Sequence, residues 1–394
     1  MKTLDERLGI LKEHTENENL TVMIMGLGSV GTYLLDYLVG RNDPAVRIVV
    51  VGRNKDKLES SSNIVRVGAL IRGVNRSQVI VEHGVDFNHI QQIADCIGKY
   101  QPDFIVNSSR AYSGLKYGSI SWNSLRAYGI WSPLAVRYIR NMMEAAELAG
   151  SHAVVINTSY SDAVIPWLKS AGKSYPDFGS GNLNHLVPRI KFAAAEKLQI
   201  PDFWNVDVTL ATSHFHDVVI SKEGHTEGME QLLYISCHGQ QVECRQDEIF
   251  GKCMIPMPVD ARRNMMNASS NFEIITAITD AVRKGEKRKI HCPGVFGETG
   301  GYPVCIDAAS EKLKIAIDTS VFTLEQMRQA NRQSIAFDGV ENITDGKLVY
   351  TDRLLEKVQD SFGVQLPKEV GFEEIDQTAD MLIQEIIVPA LKKG

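Results

Sequence analysis

Several features that mark other protein classes are scarce or missing in this 394-residue sequence. Only six cysteines occur and no two are spaced as a CxxC pair, so neither a disulfide framework nor a metal site is expected. No apolar run approaches the roughly 18 residues of a membrane-spanning helix, and residues 1–20 lack the apolar stretch of a secretion signal. The sequence therefore predicts a cytoplasmic protein without a membrane partner.

Positive charge is also in short supply. Lys and Arg total 42 against 48 Asp and Glu, which leaves a net charge of −6 and no basic excess to neutralise a phosphate backbone. Nucleic acid is therefore not an expected partner. No short repeat or low-complexity tract occurs, which excludes solenoids and propellers, and the length predicts two domains.

Short apolar runs alternate with helical patterns over the first 170 residues. Strands are predicted at 20–25, 47–51, 79–81, 104–107 and 153–157, and helices at 29–39, 90–100 and 135–148. This alternation is typical of an α/β fold whose sheet is parallel and doubly wound. We expect residues 1–170 to form a Rossmann domain.

The pattern changes in residues 171–394, where a second, α+β domain is predicted. It combines helices at 186–198, 272–283 and 374–391 with strands at 206–211, 231–237 and 314–317. Ligands of such two-domain proteins bind at the carboxyl ends of the parallel strands. The second domain should therefore supply the catalytic and substrate-binding side chains.

A glycine-rich loop lies between the first predicted strand and the first helix after it, and reads Gly26-Leu27-Gly28-Ser29-Val30-Gly31. In a dinucleotide site the first glycine permits a tight turn, the second lets the backbone approach the pyrophosphate, and the third lets helix and strand pack closely. The helix N-terminus would then bind the phosphates. The alternative is a plain glycine-bearing turn.

The end of the second strand bears on the choice of cofactor. NAD sites usually have an acid there for the ribose hydroxyls, but this chain reads Arg53-Asn54-Lys55. Arg53 and Lys55 suit a 2′-phosphate, which favours NADP(H) and leaves NAD(H) possible. Asn107 and Asn157 end two other strands, and we expect them to contact the cofactor, Asn157 at its nicotinamide amide or ribose.

Residues 126–217 resemble the lactate/malate dehydrogenase superfamily. The matching features are Arg126 on a loop before a long helix, the strand end Asn157-Thr158-Ser159-Tyr160-Ser161-Asp162, the loop Gly179-Ser180-Gly181, Arg189 within a helix, and His214-Phe215-His216-Asp217. The resemblance implies an NAD(P)-dependent dehydrogenase of small 2-hydroxy or 2-oxo acids that forms homo-oligomers. It assigns the carboxylate of the substrate to Arg189 and the stabilisation of its oxygen to Arg126.

A histidine near neutral pKa would exchange the proton in that reaction, and either His214 or His216 fits. If the pair lies on a strand, both side chains point to the same face and the sequence does not separate them. The family also has an aspartate one helical turn before the substrate arginine, where this chain has Leu186. Its replacement could come from Asn184, His185, Asp217 or Asp162.

Three other functions stay open. Val51-Gly52-Arg53 and Thr158-Ser159-Tyr160-Ser161 are similar to saccharopine-type reductases, so an imine-reducing, opine-like enzyme is the nearest alternative. A dinucleotide-binding redox sensor without turnover is compatible with the missing aspartate. Asn184-His185, Cys237 and His238 invite comparison with NAD-dependent family 4 glycosidases. The expectation we carry forward is NADP(H)-dependent oxidoreduction of a carboxylate-bearing hydroxy or oxo acid.

Overall fold

The centre of the molecule is a six-stranded parallel sheet with the strand order β3-β2-β1-β4-β5-β6. The computed structural model describes residues 1–393. The strands are β1 (Leu20–Met25), β2 (Val46–Gly52), β3 (Gln78–His83), β4 (Phe104–Asn107), β5 (Val154–Asn157) and β6 (Phe178–Gly179). This order, with crossovers on both sides of β1, is that of a Rossmann fold, so the predicted α/β class is confirmed.

Helices cover both faces of this sheet. They are α1 (Leu4–Glu16), α2 (Ser29–Gly40), α3 (Lys55–Ile71), α4 (Ile90–Tyr100), α5 (Gly114–Ile120), α6 (Ser132–Leu148) and α7 (Ser161–Ser170). Along β1, Met23 and Met25 join the core on the α4 and α6 side, while Val22 and Ile24 join the core on the α1 and α2 side. Because both faces are buried, the strands read as continuous apolar runs.

The second half contains three small antiparallel sheets, each of three strands. Their strands are β7 (Val206–Ala211), β8 (Leu232–Cys237) and β9 (Gln240–Gln241), then β10 (Lys287–Pro293), β11 (Gly301–Asp307) and β12 (Lys314–Ile317), and finally β13 (Val340–Thr344), β14 (Lys347–Tyr350) and β15 (Glu369–Gly371). The helices are α8 (Asn182–Leu198), α9 (His214–Glu223), α10 (Gln246–Gly251), α11 (Asn264–Lys284), α12 (Leu324–Phe337), α13 (Asp352–Phe362), α14 (Ile375–Met381) and α15 (Val388–Lys393). A π-helical turn at Leu382–Ile387 interrupts the helix predicted at 374–391.

The C-terminal part returns to the central sheet. Val340, Leu348 and Leu382 are buried in the same core as Met23 of β1 and Ile139 of α6. The turn between α12 and β13 is thereby brought against the segment that follows β5. None of the helices in residues 1–393 is long and apolar enough to cross a membrane. Homo-oligomerisation, a cytoplasmic location and the division near residue 170 stay predictions.

One buried ion pair fixes α1 to the amino ends of the strands. Arg7 Nη1 and Nη2 donate to the two carboxylate oxygens of Asp177 at 2.6 and 2.7 Å, and Nη1 also donates to the Ala153 carbonyl at 2.8 Å. Asp177 accepts a further bond from the Val155 backbone N–H at 2.9 Å. Both side chains are buried, so each charge depends on the other for its solvation.

Replacing Arg7 by Met is therefore expected to destabilise the protein by about 3–5 kcal/mol, because it leaves the Asp177 carboxylate buried without its cation. Urea unfolding followed by circular dichroism would measure the loss. Arg72→Met is the matched control, since Arg72 pairs with Asp36 at the surface and should change the stability by less than about 1 kcal/mol. Equal losses for the two variants would contradict this prediction.

Candidate functional site

A cavity of about 630 Å³ begins at the carboxyl end of β1 and extends into the second half of the chain. It is lined by the glycine loop (Gly28–Val30), by the segment after β5 (Thr158–Tyr160) and by the first turns of three helices: α8, α9 and α11. The positive ends of these helix dipoles favour anionic ligands. The volume suits a small-molecule or cofactor site.

The glycine loop has the geometry that a pyrophosphate requires. Gly26 has a φ of +97°, which favours glycine, and a Cβ at Gly31 would lie 2.2 Å from the Gly26 carbonyl oxygen. A Cβ at Gly28 would meet nothing within 4 Å, so its absence leaves open space on the cavity. Gly28 caps α2 without a side-chain hydrogen bond, which leaves the first N–H groups of the helix for a ligand.

The other residues of the loop complete this picture. Leu27 is buried in the core beside α2. Ser29 and Val30 line the cavity, and Ser29 Oγ accepts a bond from Asn264 Nδ2 at 2.6 Å. Asn264 begins α11, so this contact joins the glycine loop to the second half of the chain. The residues present therefore fit a dinucleotide.

The three residues that follow β2 lie at the surface, outside the lining of the cavity. Arg53 Nη1 is 3.6 Å from Asp86, and its side chain is 65 % exposed. Asn54 accepts a bond from the Lys57 backbone N–H and caps α3. Lys55 Nζ is 3.8 Å from Glu59. Both cationic side chains are more than half exposed, so each can bind a further anion.

The two strand-end asparagines are buried and bond to each other. Asn107 Nδ2 donates to Asn157 Oδ1 at 2.9 Å, and Asn157 Nδ2 donates to the Ser159 carbonyl at 3.0 Å. Neither side chain lines the cavity. They hold the loops after β4 and β5, which do line it, and contact with a nicotinamide stays a prediction.

The two candidate histidines lie at the start of a helix, so the condition under which both would point to the same face, a shared strand, is not met. β7 ends at Ala211, and Ser213 is the N-cap of α9, which begins at His214. Ser213 Oγ makes no capping bond to the helix and lies 2.6 Å from Ser334 Oγ, while the His214 backbone N–H, the first of α9, donates to Asp162 Oδ1. Residues two apart on a helix point to different sides. The helix therefore separates His214 from His216.

His214 lines the cavity and has a buried acid as its partner. Its Nδ1 lies 2.7 Å from Asp338 Oδ2, and Asp338 is fully buried in the turn between α12 and β13. The Tyr128 backbone N–H and the Tyr160 hydroxyl also donate to this carboxylate, at 2.7 and 2.9 Å. The other nitrogen, Nε2, has no hydrogen bond within residues 1–393. It is left to meet a ligand.

The surroundings of His214 favour its charged form. Burial by itself lowers the pKa of the imidazole, but the charge and hydrogen bond of Asp338, followed by the charges of Asp162 and Asp217, raise the pKa above its usual value. The rings of Tyr128 and Tyr160 pack edge-on against the imidazole, at 4.6 and 5.3 Å between centroids. They hold it in one orientation.

His216 has a different environment. Its Nδ1 lies 2.6 Å from the Ser334 hydroxyl and its Nε2 3.1 Å from the Thr226 carbonyl oxygen. The carbonyl needs a donor, so Nε2 carries the proton and Nδ1 accepts from Ser334. Burial lowers the pKa of His216 to about 4. The side chain is fully buried and does not line the cavity, so its contacts are structural.

The acid that pairs with His214 is none of the four replacements considered from the sequence. Asp162 Oδ1 accepts from the His214 backbone N–H at 3.0 Å and does not reach the imidazole. Asn184 Nδ2 donates to Glu273, and His185 lies with Asp217 on the cavity wall. Asp338 stands outside the stretch that resembles the dehydrogenases, and its sequence context, Phe337-Asp338-Gly339, indicates only a turn.

Arg126 is occupied elsewhere. Its guanidinium binds the carboxylates of Glu223 and Glu227, each at 2.6 Å from Nη2, and lies 4.8 Å from the Trp122 ring centre. It does not line the cavity. The segment before it, expected as a loop, is helical through α5 and a π-helical turn at Ser121–Leu125. Glu223, the last residue of α9, and Glu227, in the loop after it, hold the arginine in place.

Four other cations do line the cavity: Arg110, Arg189, Lys222 and Arg263. Arg189 is buried, and its Nη1 donates to the Cys253 carbonyl at 2.8 Å. In the described part of the chain, Arg110 and Arg263 have no ion-pair partner. Burial and the charge of Arg263 lower the pKa of Lys222, which shows how closely positive charges are placed here. Neither Arg110 nor Arg263 belongs to a motif that the sequence analysis identifies.

Unsatisfied polar atoms gather on the same wall. Buried side-chain atoms without a hydrogen-bond partner include His185 Nε2, Arg189 Nε, Asp217 Oδ1 and Ser221 Oγ, and all four residues line the cavity. Burial raises the pKa of Asp217 to about 7. A buried polar atom without a partner costs about 1–3 kcal/mol, so such a group of atoms indicates a polar ligand.

The sheet order, the glycine loop and the α+β second half together define a lactate/malate dehydrogenase-like fold, as the sequence predicts. Solved structures agree. Malate dehydrogenase from Aeropyrum pernix is 14% identical over 80% of this chain and 97% of its own, with a TM-score of 0.52. Malate dehydrogenase from Plasmodium falciparum is 13% identical over 87% and 99%, with a TM-score of 0.50.

Lactate dehydrogenase from Cryptosporidium parvum, solved with lactic acid and nicotinamide adenine dinucleotide, is 14% identical to this chain. The alignment covers 93% of this chain and 98% of that protein, with a TM-score of 0.52. No protein-family model matches the chain, and no curated protein has a significantly similar sequence. At these identities the likeness shows the fold alone.

Proposed function

We propose that the protein is an NAD(P)(H)-dependent oxidoreductase that acts on a small 2-hydroxy or 2-oxo acid. The observation that carries this proposal is the His214–Asp338 pair on the wall of a cavity that begins at the glycine loop. This chemistry requires a group that exchanges a proton and a loop that binds the dinucleotide. His214 and the glycine loop, the candidates for these two roles, line one cavity. The dehydrogenase-like fold supports the proposal by analogy.

When bound, the nicotinamide would supply or accept the hydride. His214 would hold the proton at Nε2 and give it to the substrate oxygen during reduction, or take it during oxidation. Asp338 would keep the proton of Nδ1 on the side away from the substrate and stabilise the imidazolium. Because Tyr128 and Tyr160 fix both partners, little reorientation is needed during the reaction.

Cationic side chains on the cavity wall would bind the carboxylate of the substrate. Arg189, assigned to this role by the resemblance, has one nitrogen without a partner, Nε, because Nη1 donates to the Cys253 carbonyl and Nη2 to Met257 Sδ. Arg263 lines the same cavity and is close enough to Asp217 to affect the pKa of that carboxyl. In the described residues its guanidinium has no ion-pair partner. We assign the bidentate contact to Arg263 and a supporting one to Arg189.

The same proposal includes a preference for NADP(H). Arg53 and Lys55 follow β2, the strand next to the glycine loop, where a 2′-phosphate would lie. Fluorescence titration of the full chain with NADPH and NADH tests both levels of the proposal. Binding of neither nucleotide would contradict the enzyme assignment, and tighter binding of NADH would contradict the preference alone.

Replacing Arg53 by Ala is expected to weaken NADPH binding about tenfold and to leave NADH binding unchanged, since only NADPH has the extra phosphate. The tenfold estimate corresponds to one charge-assisted contact at an exposed site. Lys57→Ala is the matched control, because Lys57 is an exposed cation in the first turn of α3, just after Arg53, and should affect neither nucleotide. An equal loss for both nucleotides would show that Arg53 does not contact a 2′-phosphate.

The imine-reducing alternative has one observation in its favour. Asp217 Oδ1 has no partner on the cavity wall, and a carboxylate there could pair with the amino group of a second substrate. Assaying 2-oxo acids with and without amino acids would separate the two reactions, because only imine reduction requires the amine. Nucleotide binding without turnover would favour a redox sensor. Cys237 and His238 do not line the cavity, so nothing there favours a glycosidase.

A further inference from the structure

A second group of polar side chains lies at the amino ends of the parallel strands, the edge opposite the cavity. His14 is in the last turn of α1, Asp103 directly precedes β4, and His152 lies two residues before β5. One ligand atom from each lies within 4.8 Å of the others. Three separate segments therefore bring two imidazoles and one carboxylate to one point.

The distances within this group are close to those of a metal site. His14 Nδ1 is 2.6 Å from Asp103 Oδ1, and His152 Nε2 is 3.4 Å from the same oxygen. Zinc bonds nitrogen and oxygen at about 2.0–2.2 Å, so tetrahedral ligand atoms lie about 3.3 Å apart. The His152–Asp103 spacing already fits, and His14 needs to move by less than about 1 Å relative to the carboxylate.

The hydrogen bonds of the group leave a position for a cation. His152 Nε2 is buried and has no hydrogen-bond partner, although it faces Asp103. Asp103 is 1 % exposed, and its other oxygen, Oδ2, accepts from the Thr21 backbone N–H at 2.7 Å. This bond orients the carboxylate and directs Oδ1 toward the histidines, as outer-shell bonds do in metal sites.

We propose that His14, Asp103 and His152 bind a divalent transition metal ion of the zinc type, with water as a fourth ligand. Imidazole nitrogen and carboxylate oxygen are common ligands of such ions, and a site made of them requires no cysteine. The His14 side chain is 31 % exposed, so the ion and its water can reach the group from solvent. The site is separate from the cavity and does not depend on the proposed function.

A bound ion would join α1 to the starts of β4 and β5. His14 and Asp103 are 89 residues apart, so the three ligands come together only in the folded chain. Metal binding therefore stabilises the folded state. The role we infer is to stabilise the packing of α1, beside the Arg7–Asp177 ion pair that holds the same helix.

The test uses the full-length chain, freed of metal with a chelator and without a histidine tag. Titration with Zn²⁺, followed by calorimetry, and with Co²⁺, followed by its visible absorption, would measure stoichiometry and affinity. One ion per chain and a rise of about 3 °C or more in the melting temperature are expected for the wild type. His14→Gln and His152→Gln should each weaken binding at least about tenfold and abolish the rise.

His89→Gln and His225→Gln are the matched controls, because both histidines are exposed and lie outside the group. They should bind the ion as the wild type does. Failure of the wild type to take up one equivalent, or equal affinity in a folded His14→Gln/His152→Gln double variant, would overturn the proposal. Circular dichroism of the metal-free variants checks that they are folded.

Discussion

Replacement of His214 by Asn is expected to lower turnover by about 10²–10⁴-fold, while binding of the nicotinamide nucleotide stays as in the wild type. The asparagine Nδ2 can take the place of imidazole Nδ1 and still donate to Asp338. No group remains at the position of Nε2 to exchange the proton. Steady-state rates, with the oxo acid that the wild type reduces, would measure the effect, and nucleotide titration would show that binding persists.

His216→Asn is the matched control for this variant. His216 lies two residues away and bonds only to Ser334 and the Thr226 carbonyl, so its loss should lower stability but leave turnover within a fewfold of wild type. The pair of variants also separates the two histidines that the sequence left equivalent. Wild-type turnover in His214→Asn, or loss of turnover in a folded His216→Asn, would show that the proton passes through another group.

Replacement of Asp338 by Asn is expected to lower turnover by about 10²-fold or more and to shift its pH dependence. With the carboxylate present, the pKa of His214 is raised, so the imidazolium needed for reduction persists above the usual histidine range. Without it, the pKa falls, and the rate of reduction should begin to decline at a lower pH. Rates measured across pH 5–9 would locate this decline in both proteins.

The His214–Asp338 pair also makes the stability of the protein depend on pH. Because the folded-state pKa of His214 is raised above its unfolded value, the contact with Asp338 contributes stability that is fully present below the unfolded pKa. That stability is lost as the pH rises through the folded pKa. Asp338→Asn should therefore destabilise the protein more at pH 5 than at pH 9. Urea unfolding at the two pH values would measure the difference.

Tyr160→Phe provides the control for Asp338→Asn. It removes the hydroxyl that donates to Asp338 Oδ2 but leaves the carboxylate and its bond to His214. Turnover should fall much less than in Asp338→Asn, and the pH profile should keep its position. An unchanged profile in Asp338→Asn would mean that the acid only packs against the histidine.

Much of the fold could be predicted from local patterns. The strands at 20–25, 104–107, 206–211 and 314–317 and the helix at 90–100 have the predicted bounds, because buried strands and amphipathic helices impose their own periodicity. The α/β class follows from their alternation. The segment around Arg126 and the start of α9 were predicted less well, since a π-helical turn has no clear sequence pattern and the first N–H of α9 is bonded to Asp162, 52 residues earlier in the chain.

The candidate site could be predicted only in part. The glycine loop was found because its function depends on one short stretch of backbone. The partner of His214 could not be found, because Asp338 is 124 residues away and belongs to an ordinary Asp-Gly turn pattern. The same holds for Arg189, whose Nη1 is bonded to a carbonyl 64 residues further along the chain. No pattern near either residue indicates these contacts.

The sequence by itself determined the parallel sheet, the helices around it and the dinucleotide-type loop, because each depends on residues that are neighbours in the chain. The tertiary structure decided which histidine meets the cavity, which acid pairs with it and which arginines remain free for a ligand. It also brought His14, Asp103 and His152 together. These are long-range contacts, and only the packing of the C-terminal part and of α1 against the central sheet creates them.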